Sequence, residues 1–369
     1  MNEIHVVVGK ALFSVEQFFE RRRSQLMPGN SRDMAFLPPL NYECIHCGNS
    51  CEMFEVDVDP GVVLPGAQTR PDGRLYLRCL PDGCPNLSEA AEERCRVYEQ
   101  RPGACRHFPF RAIETPGGRF IGASYACTAI AQGLGPRLER DQCDWEQLPA
   151  QKVRANLVDG VACPWESYLK IEEFLGDQLC FSNGAFSAAL GVSLAISQNN
   201  LSGLGVARLS WLSDEIETTC QRILRGLLAI SEADNQPQRA QEVLSSQAQG
   251  GRYFSHIFPG WVEPRKIQSR LEQEESDHWQ QVEGFFRHLL FRKFLWGPPS
   301  VHARVCLLPL INEMVRYWTW QQALAENSKP TALMRRLAIR EVERRLTFHA
   351  QGWEDFLAPL SLAFLQGVR

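Results

Sequence analysis

Eight of the thirteen cysteines fall between Cys44 and Cys127, and no other feature restricts the fold as much. Three of them stand in Cys44-Ile45-His46-Cys47-Gly48-Asn49-Ser50-Cys51; Cys79, Cys84, Cys95, Cys105 and Cys127 follow. A thiolate is a soft, charged ligand, and so many within one short stretch are best stabilised by a cation or an iron–sulfur core. The same stretch carries the turn signals Pro60-Gly61, Pro65-Gly66, Pro71-Asp72-Gly73, Pro81-Asp82-Gly83 and Pro116-Gly117-Gly118. A segment with that many turns buries little apolar surface for its length, so metal coordination would supply folding energy that packing does not. Short strands fit over Glu52 to Val58, Arg74 to Leu80 and Phe120 to Ala126, and Ser88 can cap a helix that runs to Gln100 and stops before Pro102-Gly103.

The 369 residues suffice for one large domain or two with a substantial core. The formal net charge of −4 argues against a general nucleic-acid binder, which carries a basic excess. The start, Met1-Asn2-Glu3-Ile4-His5, lacks the basic and apolar regions of a secretory leader, and no apolar run reaches the ~18–20 residues that span a bilayer. The expectation is a cytoplasmic protein without a membrane partner. In a reducing compartment an odd number of cysteines reads as ligands and buried thiols rather than disulfides.

The expected fold class is α+β, mostly helical, with a loop-rich metal-binding cysteine domain joined to a helical region. Residues 1–40 form an N-terminal helix, over 12–27, and a linker. Residues 41–135 form the cysteine-cluster domain, and residues 136–369 a mainly helical domain. In this last part Pro136 to Gln151 reads as a polar connector. Helices are expected over Trp165 to Leu179 and Leu209 to Ile230 by apolar spacing. The Gly-, Ala- and Ser-rich stretch 183–208 is ambiguous. Residues 232–250, with Asp234, Asn235, Pro237 and several glutamines, read as a mobile connection or surface insertion. Three helices follow, over Glu274 to Leu295, His302 to Leu324 and Pro330 to Phe356.

Cys44-x2-Cys47 has the spacing of a metal knuckle, in which both thiolates face one ion and turn N–H groups face the sulfurs. Gly48 would relieve crowding there. The candidate metal ligands are Cys44, Cys47, Cys51, Cys84, Cys95, Cys105 and Cys127, with Cys79 as the weakest member. Arg101 and Arg106 flank Cys105 and can offset thiolate charge or bind an anionic group; surface ion pairing and a local cap are the simpler roles. Tyr98 reads as core packing rather than a general acid, since its free pKa lies near about 10. His46 and His107 lie beside ligands and can replace a thiolate or simply face solvent. Cys143, Cys163, Cys180, Cys220 and Cys306 are isolated, and Cys220 and Cys306 read as core residues. Glu172-Glu173 and the run Glu272, Glu274, Glu275 read as solvated helix faces. No Ser-His-Asp set or metal-carboxylate pair is present to assign as catalytic.

These pieces resemble the YkgJ-type cysteine-cluster family of zinc- or iron-chelating proteins, whose hallmark is CxxCGxCC, then C-P-x-L, then C-x-x-Y-x-x-R-P-x-x-C-R-x-F-P. The first piece falls on Cys44, Cys47, Gly48 and Cys51, and the second on Cys84, Pro85 and Leu87. The third falls on Cys95, Tyr98, Arg101, Pro102, Cys105, Arg106 and Pro109. Cys127, ahead of Gly133-Leu134-Gly135, stands where members carry a further cysteine. Ser50 departs from the pattern, which puts one ligand in doubt and leaves Cys79 as a replacement or a bystander. The length and the aromatic helical half, as in Phe285-Phe286-x-x-Leu289-Leu290-Phe291-x-x-Phe294, also resemble the flagellin lysine N-methylase branch. That resemblance implies S-adenosylmethionine as methyl donor and a protein or peptide substrate. Ser202-Gly203-Leu204-Gly205-Val206 follows no clear strand and is a poor nucleotide loop.

Two readings of function follow. In the first, an iron–sulfur (preferred) or zinc protein modifies a protein or peptide side chain, with lysine N-methylation as the implied reaction. In the second, the chain is a non-enzymatic, metal-stabilised binding or metal-handling protein.

Overall fold

The computed structural model describes residues 35–52, 55–77, 83–88, 95–139, 145, 148–179, 184–204, 214–233, 236–272, 279–347 and 354–368. The helix expected over 12–27 and the cysteines Cys79, Cys143 and Cys180 lie outside them. The fold is α+β and mostly helical, as expected. No helix among the described residues is long and apolar enough to cross a membrane.

The cysteine-rich part is loops held by two small sheets. Strands β1 (Ala35–Phe36), β2 (Val56–Asp57), β3 (Ala67–Thr69) and β4 (Leu75–Leu77) are followed by a short helix, α1 (Gly103–His107). Then come β5 (Phe110–Thr115), β6 (Gly118–Ala123), α2 (Thr128–Gln132) and β7 (Ala150–Lys152). The smaller sheet has the order β2-β4-β3, and the larger β1-β6-β5-β7. Within the stretch where a helix from Ser88 to Gln100 is expected, residues 89–94 are not described and the remainder is not helical over its length. Leu87 forms a bridge with Cys95, Arg96 N donates to Asn86 O, and one short 3-10 turn covers Tyr98–Gln100.

The β5–β6 hairpin divides the molecule. Ala112 pairs with Ile121 and Ile113 with Phe120, so alternate residues face opposite sides. Ala112 and Ile121 join Leu138, Trp145 and Leu148 in a core on the cysteine side, which also takes up Leu40 and Tyr42. Phe120 meets Phe291 edge-on, at 6.0 Å between ring centres, on the helical side. Gly122 is required on that side, because a Cβ there would lie 2.8 Å from the Cβ of Arg292.

The helical part begins with a small hairpin, β8 (Asn156–Val158) and β9 (Val161–Ala162), and continues with α3 (Trp165–Gln178) and α4 (Gly184–Ser197). Next are α5 (Asp214–Ala233), α6 (Pro237–Gln249), β10 (Tyr253–Ser255), β11 (Gly260–Val262) and α7 (Pro264–Glu272). It ends with α8 (Trp279–Phe291), α9 (Val301–Ala325), α10 (Ala332–Val342), a π-helical turn over Glu343–Thr347 and α11 (Glu354–Gly367). Helix α9 is the axle: it touches α4, α5, α7, α10 and α11, and Leu308, Ile311, Met314 and Trp318 are fully buried along it. Each such side chain contributes roughly 1.5–3 kcal/mol by leaving water. Ser300 and Thr331 cap α9 and α10, each accepting from the N–H three residues on at 3.2 Å.

Two expectations are corrected here. Residues 237–249 are helical, not a mobile insertion: Pro237 takes the first helical position and Gly250 the left-handed cap. Glu172 is not on a solvated face. Tyr168, Ile171, Glu172 and Leu175 form the buried stripe of α3, and Glu172 accepts a 2.6 Å hydrogen bond from the buried Lys293. Lys293 adopts φ +58 in the turn after α8, which aims its ammonium back at that carboxylate and over the Phe120 ring, 4.3 Å from its centre.

The next residue back supplies a second buried pair. Arg292 grips Glu343 with both terminal nitrogens, at 2.5 and 3.1 Å, and donates to Ala123 O at 3.2 Å. His288 Nε2 stands 2.8 Å from the same carbonyl oxygen. The end of β6, four residues before Cys127, is thereby fastened to α8 and to the π-helical turn.

Candidate metal centre

The cysteines gather in two neighbourhoods, set by backbone hydrogen bonds between loops. In the first, Cys51 N donates to Gly48 O at 2.8 Å and closes the arm that starts at Cys44. Cys84 N then donates to Cys51 O at 2.8 Å, and Leu87 N donates to Cys84 O at 2.9 Å. The Leu87–Cys95 bridge and the 2.9 Å bond from Arg96 N to Asn86 O bring in the third cysteine. Cys105 arrives on α1, whose start is pinned by Asp59: Gly103 N donates to its carboxylate at 2.7 Å. Burial pushes the Cys105 thiol up to about 12; Cys51, Cys84 and Cys95 add to the rise and the Arg101 charge opposes it. The Cys84 thiol is also raised, by burial first and by Cys95 in addition, while hydrogen bonds from Asn86 oppose.

The second neighbourhood joins Cys44 and Cys47 to Cys127. Tyr42 N donates to Pro136 O and Leu138 N to Leu40 O, both at 2.9 Å, so the arm before Cys44 runs beside residues 136–138. Gly135, at φ +87, allows the approach: a Cβ there would sit 2.6 Å from Glu43 N. Asn49 Nδ2 donates to Thr128 Oγ1 at 2.9 Å and ties the far end of the arm to the start of α2. Burial pushes the Cys127 thiol up to about 11; N–H groups of Ile130 and Ala129 oppose, and Cys47 and Cys44 add. Tyr42 completes the group. Its hydroxyl hydrogen-bonds the Cys44 thiol, and burial first, then the charges of Cys44 and Cys127, hold it well above an ordinary phenol. Its ring meets Phe110 edge-on at 5.0 Å, and Phe110 meets Trp145 in the same way.

Among the described residues, no group of three or more His, Cys, Asp or Glu side chains is drawn together tightly enough to hold a metal ion. The thiols are neighbours that hinder one another's ionisation rather than a closed shell. The donor chemistry still fits a soft metal. The sulfurs are thiols rather than carboxylates, most are half-buried, and N–H groups of Asn86, Ala129 and Ile130 already face Cys84 and Cys127. A bound cation would reverse the sign of each raised pKa, since coordination requires thiolate and releases protons.

The other residues singled out by sequence lie around these groups. Tyr98 is not in the core; it is 38% exposed, with the Arg101 guanidinium 3.6 Å above its ring centre and His46 5.4 Å away. Arg101 caps locally, donating to Tyr98 O at 2.9 Å. Arg106 forms an exposed ion pair with Asp59 at 3.6 Å. Burial, then the charge of Arg106, lowers the pKa of His107. His46 is exposed at φ +49. Cys163, Cys220 and Cys306 are buried away from both groups. Sequence reasoning passed over Tyr42, Asp59 and the Asn49–Thr128 tie. For Tyr42 a signal existed, an aromatic residue two positions before a ligand; for Asp59 there was none.

Residues 43–128 match the family model CxxCxxCC, described as a "putative zinc- or iron-chelating domain". The match covers the stretch that holds both thiol groups, and the rest of the chain lies outside it. No curated protein and no solved structure matches the chain.

Proposed function

We propose that the chain is a metal protein in which the cysteine cluster binds an iron–sulfur centre or zinc and the helical part serves as its rigid mount. The observation that carries this reading is the backbone pairing that brings the loops of Cys51, Cys84 and Cys95 side by side, with backbone N–H groups aimed at Cys84 and Cys127. Uncharged thiols gain little from such an arrangement, while thiolates on a metal gain from every N–H that faces them. Anaerobic purification followed by iron, sulfide and zinc analysis tests it. A brown protein absorbing near about 400 nm with iron and sulfide supports a cluster, and colourless protein with stoichiometric zinc supports the zinc form. Metal-free protein that also fails to take up iron or zinc refutes both.

The finer reading is chemistry on a protein or peptide side chain, with lysine N-methylation from S-adenosylmethionine as the reaction that the methylase resemblance implies. It rests on the aromatic helical half. Calorimetric titration with S-adenosylmethionine tests it, and absence of binding to metal-loaded protein refutes it in favour of a non-enzymatic metal-handling role.

A further inference from the structure

We infer that the outer face of the β10–β11 ribbon, Phe254 and Trp261 flanked by Arg252 and Arg265, docks an extended, acidic segment of a protein partner that also carries apolar side chains. The inference goes beyond the metal reading and holds whether or not the cysteines carry a metal.

The ribbon has two unlike faces. Tyr253 pairs with Val262, Phe254 with Trp261 and Ser255 with Gly260, so alternate residues turn inward and outward. The inner face is fixed. Tyr253, Ser255 and Val262 are buried, and the Tyr253 hydroxyl lies 3.3 Å from that of Tyr317 on α9. Glu232 of α5 accepts from Ser255 Oγ at 2.5 Å and from His256 N at 2.9 Å. The outer face is bare. Trp261 is 66% exposed and Phe254 37%, and their rings meet edge-on at 5.8 Å between centres. Two large rings kept in water on a rigid mount carry an unfavourable hydration that a covering partner would relieve.

The charge around the rings sets the class of partner. From Gly250 to Leu271 the chain carries Arg252, Arg265, Lys266 and Arg270 against the single carboxylate of Glu263, although the formal net charge of the whole chain is −4. Lys266 pairs with Glu263 at 3.0 Å. Arg252 stands over the Trp261 ring, 5.6 Å from its centre, and Arg265 donates to Gln249 O at 3.1 Å, so both guanidinium groups border the turn between α6 and β10. Aromatic rings with arginine beside them are the composition of binding hot spots. An acidic chain would meet the cations while its apolar side chains cover the rings.

Two other anionic partners fit less well. Stacking of nucleic-acid bases needs open ring faces, and Arg252 already stands over one face of Trp261. A lipid surface offers nothing to the strand edges. The sheet has two strands, so among the described residues each strand has one edge with no further strand on it, and an extended peptide can pair there.

Fluorescence anisotropy with the full chain tests the assignment, using a labelled, glutamate-rich copolymer of glutamate and tyrosine as the probe. Saturable binding is expected. Trp261→Ala and Arg252→Glu/Arg265→Glu should each weaken it by about 10-fold or more. Leu333→Ala, which removes a side chain 54% exposed on α10, should leave it unchanged. Circular dichroism confirms the fold of each variant; if the charge reversal does not fold, Trp261→Ala alone decides. An unbound copolymer overturns the docking face, as does binding that all the variants share. Trp261-dependent binding to vesicles of phosphatidylcholine and phosphatidylserine, or to oligothymidylate, without binding of the copolymer also overturns it and assigns the face to lipid or to single-stranded nucleic acid. Metal does not enter the readout, so failure here leaves the metal reading standing.

Discussion

Replacing Glu343 by glutamine removes the counter-charge of a guanidinium that water does not reach. Arg292 and Glu343 side chains are 5% and 0% exposed, and their two hydrogen bonds are bidentate. Arg111 stands in the same field: burial lowers its pKa, Arg292 lowers it further, and Glu343 opposes both. Without Glu343 the buried Arg292 guanidinium is left without its carboxylate. Breaking a buried pair at one partner costs about 3–5 kcal/mol, because the remaining charge stays uncompensated. At ~2 °C per kcal/mol for a chain of this size, the midpoint should fall by about 6–10 °C. Arg292→Met with Glu343→Leu removes both charges and should recover most of the loss, since apolar replacement of a whole buried pair is often neutral. Thermal unfolding of the single and double variants, read by circular dichroism and analysed as a double-mutant cycle, gives the coupling energy. A single substitution that costs less than ~1 kcal/mol, or a double variant as unstable as the sum of the singles, refutes the claim that the pair is a desolvated clamp.

Three further outcomes are expected. Burial holds His288 at about 3, with Arg292 adding, and His302 at about 4, both below the 6.5 of a free imidazole, so each contributes stability that is complete above pH 6.5. That stability should decline as pH falls toward their folded values, and urea titrations from pH 7 to 4 that show no decline would exclude the neutral buried histidines. Gly135→Ala puts a Cβ against Glu43 and should displace the arm before Cys44 and lower metal uptake, a change that metal analysis per chain detects. In metal-free native protein, iodoacetamide should label the exposed Cys44 and leave Cys306, which is fully buried with its thiol pushed well above 9.0 by burial. Mass spectrometry that finds Cys306 labelled first would contradict the packing of α9.

The sequence carried the ligand chemistry openly and concealed how the ligands divide. Spacing shows that Cys44 and Cys47 can face one ion, because two residues between thiolates make a local turn. It cannot show that Cys51, four residues on, belongs with Cys84, since that depends on a hydrogen bond between loops far apart in the chain. Helix α3 was legible as an amphipathic segment, yet the partner of its Glu172 was not, because Lys293 reaches it from a left-handed turn after α8. Periodicity marks a stripe; only packing tells which element covers it. The glutamine-rich stretch 237–249 misled for a different reason. Gln, Arg, Glu and Ala all have good helix propensity, and Pro237 and Gly250 are the start and stop signals, so the positions of two residues outweigh the polar composition between them.

The mounting of the cysteine domain also bears on where a partner can approach. Ala123 O is held by both His288 and Arg292, and Tyr125 packs edge-on against Phe285 at 5.1 Å between ring centres. The segment from Ala123 to Cys127 is therefore the fixed wall of the second thiol group, backed by α8, and α2, which follows it, rests on α10. Cys44 and His46 are exposed on the arm opposite. The buried side of that group is thus fixed by the helical part, and its exposed side carries Cys44. The four-thiol group has no comparable asymmetry, since Cys51, Cys84, Cys95 and Cys105 are all partly buried.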